Sequence, residues 1–237
     1  YLNRLHNKSD VFNTIKLLKE NDINNINIDL IYGIDEDINK VKKDIDLFLE
    51  LDIPHISCYS LIIEDHTILN NMNRLYINED IEYEMYKYIE KSLEDNNYIH
   101  YEISNYAKDG YYSKHNLTYW NNQDYIGFGL GSVSYINGNR ITNTKSITKY
   151  LDNKYMLSNI HEDIKEQQDN ELMLGFRKLK GINLTKFKNK YNDNLENIYD
   201  VEKLLKDNYL IKENDYLRIN KEYIYISDEI LLKINRK

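Results

Sequence analysis

From residue 9 to residue 104 the apolar pattern switches repeatedly between a helical and a strand period, and this alternation limits the possible folds most. Ser9 or Asp10 can cap a helix whose apolar face is Val11, Ile15 and Leu18, ending near Asn21. Residues 26–32 alternate next, with Ile28, Leu30 and Tyr32 on one face and Asn27, Asp29 and Ile31 on the other. Gly33 stops that strand, and Ile38, Val41, Ile45, Phe48 and Leu49 mark a second helix. After Pro54, residues 55–62 read as a strand, and residues 80–95 as a third helix with Ile81, Met85, Ile89 and Leu93 inward. Residues 98–104 give a third strand, with Ile99, Tyr101 and Ile103 opposite His100, Glu102 and Ser104. Strands separated by helices imply parallel pairing through right-handed crossovers. Helices then cover the apolar face, and functional groups gather on the other face at the C-terminal strand ends. On that geometry Asp29, Ser60 and Glu102 are candidate site residues. Three such strands complete neither a barrel nor a sheet, and an unpaired parallel edge points to missing partners.

Beyond residue 167 the pattern changes. Leu172, Leu174 and Phe176 mark one helix, residues 184–191 and 201–210 two more, and residues 210–226 alternate around Asn214 and Asn220. A last short helix covers residues 230–234. Three helices and a small hairpin suggest a winged-helix-like module. Its mixed charge favours a docking or lid role over DNA binding.

Composition removes several function classes. The 237 residues are 41% hydrophobic, enough for a core despite the many Asn and Lys. A net charge of −8 argues against a nucleic-acid surface, which needs concentrated Lys and Arg. The one cysteine, Cys58, cannot form an internal disulfide or a thiolate cluster site, and it fits a reducing, cytoplasmic setting. No apolar run approaches the roughly 20 residues that cross a bilayer. The first residue is Tyr1 rather than Met, so the chain reads as an internal fragment and the lack of an N-terminal address carries no weight.

Functional groups are densest in residues 100–134, which hold His100, Glu102, His115, Trp120, Gly127, Gly129 and Gly131. The three glycines lack the dinucleotide-binding fingerprint and mark close backbone approach, either to a neighbouring element or to a flat ligand. His115, with Asn116, Tyr119 and Trp120, is either a ligand-binding cluster or a packed aromatic corner. No Ser or Cys nucleophile has an evident His and acid partner. Asp29 and Glu102, on strands that look adjacent, allow a glycosidase-style carboxylate pair.

Seven stretches occur in an order that resembles a known family: LNRLH (2–6), NIDLIYG (27–33), HISCYSLIIEDHT (55–67), HYEISNYA (100–107), SKHNLTYW (113–120), DYIGFGLGSVS (124–134) and ELMLGFRKLKGI (171–182). Together they are similar to the HemW-type haem chaperones, radical SAM proteins related to oxygen-independent coproporphyrinogen III oxidase. The resemblance implies an α/β fold: the C-terminal portion of a partial TIM-type barrel over residues 1–160, then a winged-helix-like domain over 161–237. It also implies S-adenosyl-L-methionine and a [4Fe–4S] cluster held by a C-x-x-x-C-x-x-C loop. That loop is absent here, so the chain alone is not expected to be catalytic.

By the same resemblance Arg4 pairs with the carboxylate of S-adenosylmethionine, a role suited to a guanidinium. Asp29 accepts from its ribose hydroxyls, and Ile62 and Val133 pack beside the adenosyl group. Val133 stands where many relatives carry His. Glu102 and His115 are the candidates for contact with haem or substrate, His115 as an axial ligand. LIIEDHT and the YEISN and HN-x-x-YW pattern favour a haem chaperone passing haem or porphyrin to haem-accepting proteins. An oxidase-like oxidoreductase and an inactive fragment are the alternatives.

Overall fold

The computed structural model describes residues 5–63, 65, 68–71 and 76–237. They gather into two compact units, Tyr1–Tyr112 and Ser113–Lys237.

The first unit runs α1 (Lys8–Glu20), β1 (Asn27–Tyr32), α2 (Ile38–Glu50), β2 (His55–Ser60), α3 (Ile68–Asn71), α4 (Glu79–Asp95), β3 (Ile99–Glu102) and β4 (Asn105–Ala107). Asn7, not Ser9 or Asp10, caps α1. Its side chain accepts from the Asp10 N–H while the Asp10 carboxylate accepts from the Asn7 N–H. Asp10 therefore belongs to the capping box as its third helical residue.

β1 and β2 pair in parallel, as the alternation implies. The third strand departs from expectation in two ways. It ends at Glu102, and a turn at Ile103 and Ser104 sends the chain back as β4. β4 inserts antiparallel between β2 and β3, giving the order β1-β2-β4-β3. The sheet is thus mixed, and its two edges among the described residues are β1 and β3. β2 also stops at Ser60, two residues before Ile62.

Ile56, Cys58 and Tyr106 lie buried on one face of the sheet, under Val41, Ile45 and Phe48 of α2 and Met85, Ile89 and Leu93 of α4. Fully burying side chains such as Ile45, Ile56 and Met85 contributes about 1.5–3 kcal/mol each. The core anchors the helices to this face and leaves the other for polar groups.

The second unit contains α5 (Lys114–Trp120), β5 (Val133–Ile136), β6 (Asn139–Asn143), α6 (Ile147–Leu151), β7 (Met156–His161) and α7 (Ile164–Gly175). It continues with β8 (Ile182–Asn183), α8 (Leu184–Tyr191), α9 (Leu195–Ile198), β9 (Tyr199–Asp200) and α10 (Glu202–Lys206). Then follow β10 (Leu210–Glu213), β11 (Tyr216–Ile219), a 3₁₀ turn (Lys221–Ile226), α11 (Ser227–Leu231) and β12 (Asn235–Arg236). The antiparallel sheet β5-β6-β7 was not foreseen: its exposed strand Met156–His161 lacks apolar alternation. The helix expected over 201–210 is confined to α10, and Leu210 opens a strand instead. β10 and β11 form the small hairpin, turning at Asn214 with φ 52°, and β8 adds to its edge. Phe176, Phe187, Leu195, Leu210, Leu217 and Ile230 make a dry core for this C-terminal part.

Candidate functional site

The face of the first sheet turned away from α2 and α4 carries polar side chains in register. One row crosses all four strands: Asp29 pairs with Ser57, Ser57 with Asn105, and Asn105 with Glu102. A second row sets Asn27 of β1 beside His55 of β2.

A bulge in β3 decides what the far edge contributes. Pairing shifts between His100 and Glu102, so the two do not share a face as strict alternation requires. His100 stacks on Tyr106 on the helix side, ring centroids 4.1 Å apart. Tyr101 and Glu102 both reach the polar face. Glu102 is 1% exposed and accepts a hydrogen bond from the Asn105 amide.

The polar face holds a chain of hydrogen bonds with a defined direction. Asp29 only accepts, so Asn27 must present its amide nitrogen to it, at 2.7 Å. The Asn27 oxygen therefore faces His55 Nδ1 at 2.6 Å, and that nitrogen carries the proton. His55 Nε2 is then the acceptor, and the Tyr101 hydroxyl donates to it at 2.7 Å. Ser57 adds a donor to the Asn27 oxygen at 3.3 Å. The relay Tyr101–His55–Asn27 thus runs one way and ends on the exposed Asp29 carboxylate. Burial holds His55 below the usual histidine pKa, partly offset by Asp29, which matches a neutral ring. Tyr59, 42% exposed on the same face, is pushed up chiefly by burial, with Asp29 and Glu102 adding to the push.

Asp29 and Glu102 lie on the two edge strands, not on neighbours. Three strand spacings put them about 14 Å apart. Glycosidase-style pairing needs roughly 5–9.5 Å, so that reading fails. Ser60 and Glu102 do end their strands, but Asp29 is the third residue of β1 and not its last.

The other sequence candidates fall as follows. Ile62 follows β2 with 71% of its surface exposed, and the Tyr76 hydroxyl grips the neighbouring Ile63 backbone. Arg4 lies outside the described residues. In the second unit, Val133 opens β5, and a Cβ at Gly127 would sit 2.3 Å from its carbonyl oxygen. Gly127 is therefore a packing glycine, whereas Gly129 and Gly131 are needed for their positive φ of 98° and 66°. His115 is exposed on α5, edge-on to Tyr119, whose hydroxyl lies 3.3 Å from Nε2. The Arg177 guanidinium stacks on Trp120 at 4.8 Å.

Sequence reasoning missed Asn27, His55 and Tyr101. Two of them could have been found, since Asn27 is two residues from Asp29 and His55 begins the next strand in parallel register. Tyr101 could not, because the bulge moves it to the polar face.

The fold resembles about three fifths of a solved radical SAM enzyme. The solved Escherichia coli coproporphyrinogen III oxidase (HemN), a radical SAM enzyme, superimposes with a TM-score of 0.77 over 97% of this chain and 59% of its own, at 12% identity. Residues 165–222 match the HemN C-terminal domain. In sequence the chain is more specific. It is 37% identical over 227 residues to the haem chaperone HemW of Lactococcus lactis subsp. lactis, covering 92% of this chain and 60% of the relative. The Bacillus subtilis HemW is 33% identical over 238 residues, covering 96% and 62%. The chain is HemW-like in sequence and HemN-like in fold, as its motifs indicate, and spans about three fifths of the length of these relatives. Among the described residues no helix is long and apolar enough to cross a membrane.

Proposed function

We propose that this chain forms part of a haem-handling protein that binds haem and delivers it to haem-accepting proteins. The observation that carries the reading is the relatedness to haem chaperone HemW along nearly the whole chain. The division into 1–160 and 161–237 belongs to the same proposal, and the match of 165–222 to the HemN C-terminal domain supports it. A cytoplasmic location is part of the same proposal and rests on the lone Cys58.

The cofactors of the family fit unequally. A [4Fe–4S] cluster needs several thiolates. Cys58 is the one cysteine, it is buried, and burial pushes its thiol far above the usual range. These residues by themselves support no radical step. Two residues proposed for the adenosyl group fit better. Asp29 offers an exposed carboxylate steadied by Asn27, suited to the paired hydroxyls of a ribose. Ile62 offers uncovered apolar surface, while Val133 and Arg4 belong to this proposal through the sequence resemblance alone.

Of the two candidates for haem or substrate, His115 is the better supported, because its imidazole is exposed. Glu102 is sealed beneath its neighbours, and its proposed role is to hold the polar row from below.

Optical titration with haem tests the proposal. Stoichiometric binding with a shifted Soret band, weakened by His115→Ala, is the expected result. Conversion of coproporphyrinogen III by the protein without retained haem would favour the oxidase reading. Neither binding nor turnover would favour the inactive fragment.

A further inference from the structure

The unused titratable groups of the first unit converge on the opposite, helix-covered side of the sheet. His100 of β3 and Glu90 of α4 are almost sealed, with side chains 0% and 5% exposed. Glu94 follows Glu90 by one helical turn and so lies on the same stripe of α4. One ligand atom from each of Glu90, Glu94 and His100 falls within 4.8 Å of the others.

The His100 ring shows what the cluster is built around. Nε2 lies 3.2 Å from the Ile103 carbonyl, which can only accept, so Nε2 carries a proton. Among the described residues Nδ1 has no hydrogen-bond partner, although it is buried. It faces Glu90 Oε1 at 3.7 Å. In the neutral ring that sets a lone pair against a carboxylate oxygen, an arrangement that a cation between them would satisfy. A proton bridging the two atoms would draw them to about 3 Å. Two ligands of a tetrahedral ion at ~2.1 Å stand about 3.4 Å apart, close to what is seen. Donation of the other ring nitrogen to a backbone carbonyl is also how metal-bound histidines are oriented.

The geometry points to a divalent transition-metal site of the Zn²⁺ type, formed by His100 Nδ1, Glu90 Oε1 and a Glu94 carboxylate oxygen. One imidazole with two carboxylates suits Zn²⁺ better than Ca²⁺ or Mg²⁺, which take oxygen alone. Lys87 holds the second oxygen of Glu90, and the Tyr86 hydroxyl lies 3.4 Å from the first, so that carboxylate is already oriented. Glu94 is half-buried, and a side-chain rotation that shortens separations of up to 4.8 Å to about 3.4 Å closes the triangle, with water as fourth ligand. The ion would clamp α4 to β3.

Co²⁺ is the probe, since four-coordination makes it strongly coloured. The 237-residue chain, stripped with chelator, should take up one equivalent of Co²⁺ with visible absorption, and one equivalent of Zn²⁺ should displace it. His100→Asn should abolish this uptake. Glu94→Gln sits at the rim, should leave the metal-free fold intact, and should weaken Co²⁺ binding ~10-fold or more. No coloured uptake, uptake unchanged in Glu94→Gln, or a protonated His100 Nδ1 in metal-treated protein by ¹⁵N NMR would overturn the site.

Discussion

Replacing Tyr101 by Phe removes one hydroxyl from the polar relay and little else. The ring stays stacked on Tyr112, with centroids 4.5 Å apart, so packing is conserved. The lost group is the donor 2.7 Å from His55 Nε2, between two residues that are 7% and 6% exposed. No water replaces it easily at that depth, so Nε2 is left as a buried acceptor without a donor. That costs about 1–3 kcal/mol. Because the chain folds as two units, global denaturation would blur the effect, and hydrogen exchange of the β2 and β3 amides reads it locally. The expected loss speeds their exchange roughly 5- to 150-fold. The His55 pKa should also rise, because the missing bond favoured the neutral ring. A double-mutant cycle with His55→Leu isolates the pair and should give a coupling of about 1 kcal/mol or more. A coupling near zero would refute the relay, its direction and the tautomer assigned to His55.

Three further outcomes follow from the same geometry. Because burial depresses His55, the unfolded chain protonates first as the pH falls through 6.5. Stability of the first unit should therefore decline below that pH, and a flat profile would contradict a buried neutral ring. Burial also lowers Lys178 to about 8 from 10.5, despite its 2.6 Å hydrogen bond to Asn121. The folded chain gives up that proton first, so stability of the second unit should rise with pH from about 8 towards 10.5. Lys178→Met should flatten that slope and add about 1–2 kcal/mol at neutral pH, measured by urea titration. Gly127→Ala drives a Cβ to 2.3 Å from the Val133 carbonyl oxygen and should cost about 1–3 kcal/mol, seen as faster exchange of the β5 amides. An unchanged rate would mean the loop yields freely.

Reading the sequence alone was most reliable where local periodicity carries the information. Val41, Ile45 and Phe48, or Met85, Ile89 and Leu93, recur at helical spacing, and α2 and α4 lie where that spacing places them. Asn27 and Asp29 alternate with Ile28 and Leu30, and the parallel direction of β1 and β2 follows from the helix between them. Reading failed where a choice depends on residues far apart. The third strand looks uniform over 98–104, yet it turns back at Ile103, and β4 rather than β3 pairs with the free edge of β2. The strand Met156–His161 shows no apolar alternation because backbone pairing, not side-chain burial, holds it in its sheet.

The sequence by itself determined the helices α1, α2 and α4 and the strands β1 and β2 of the first unit, the kinship read from seven motifs, and the absence of cluster thiolates. These depend on residue identity and short-range spacing. Only the tertiary structure decided that Asp29 and Glu102 stand on opposite edges, that a bulge sends Tyr101 and Glu102 to one face and His100 to the other, and that Asn27 and His55 are wired to Asp29. A one-residue bulge inverts every facing after it, and its position is set by cross-strand pairing that local periodicity does not encode.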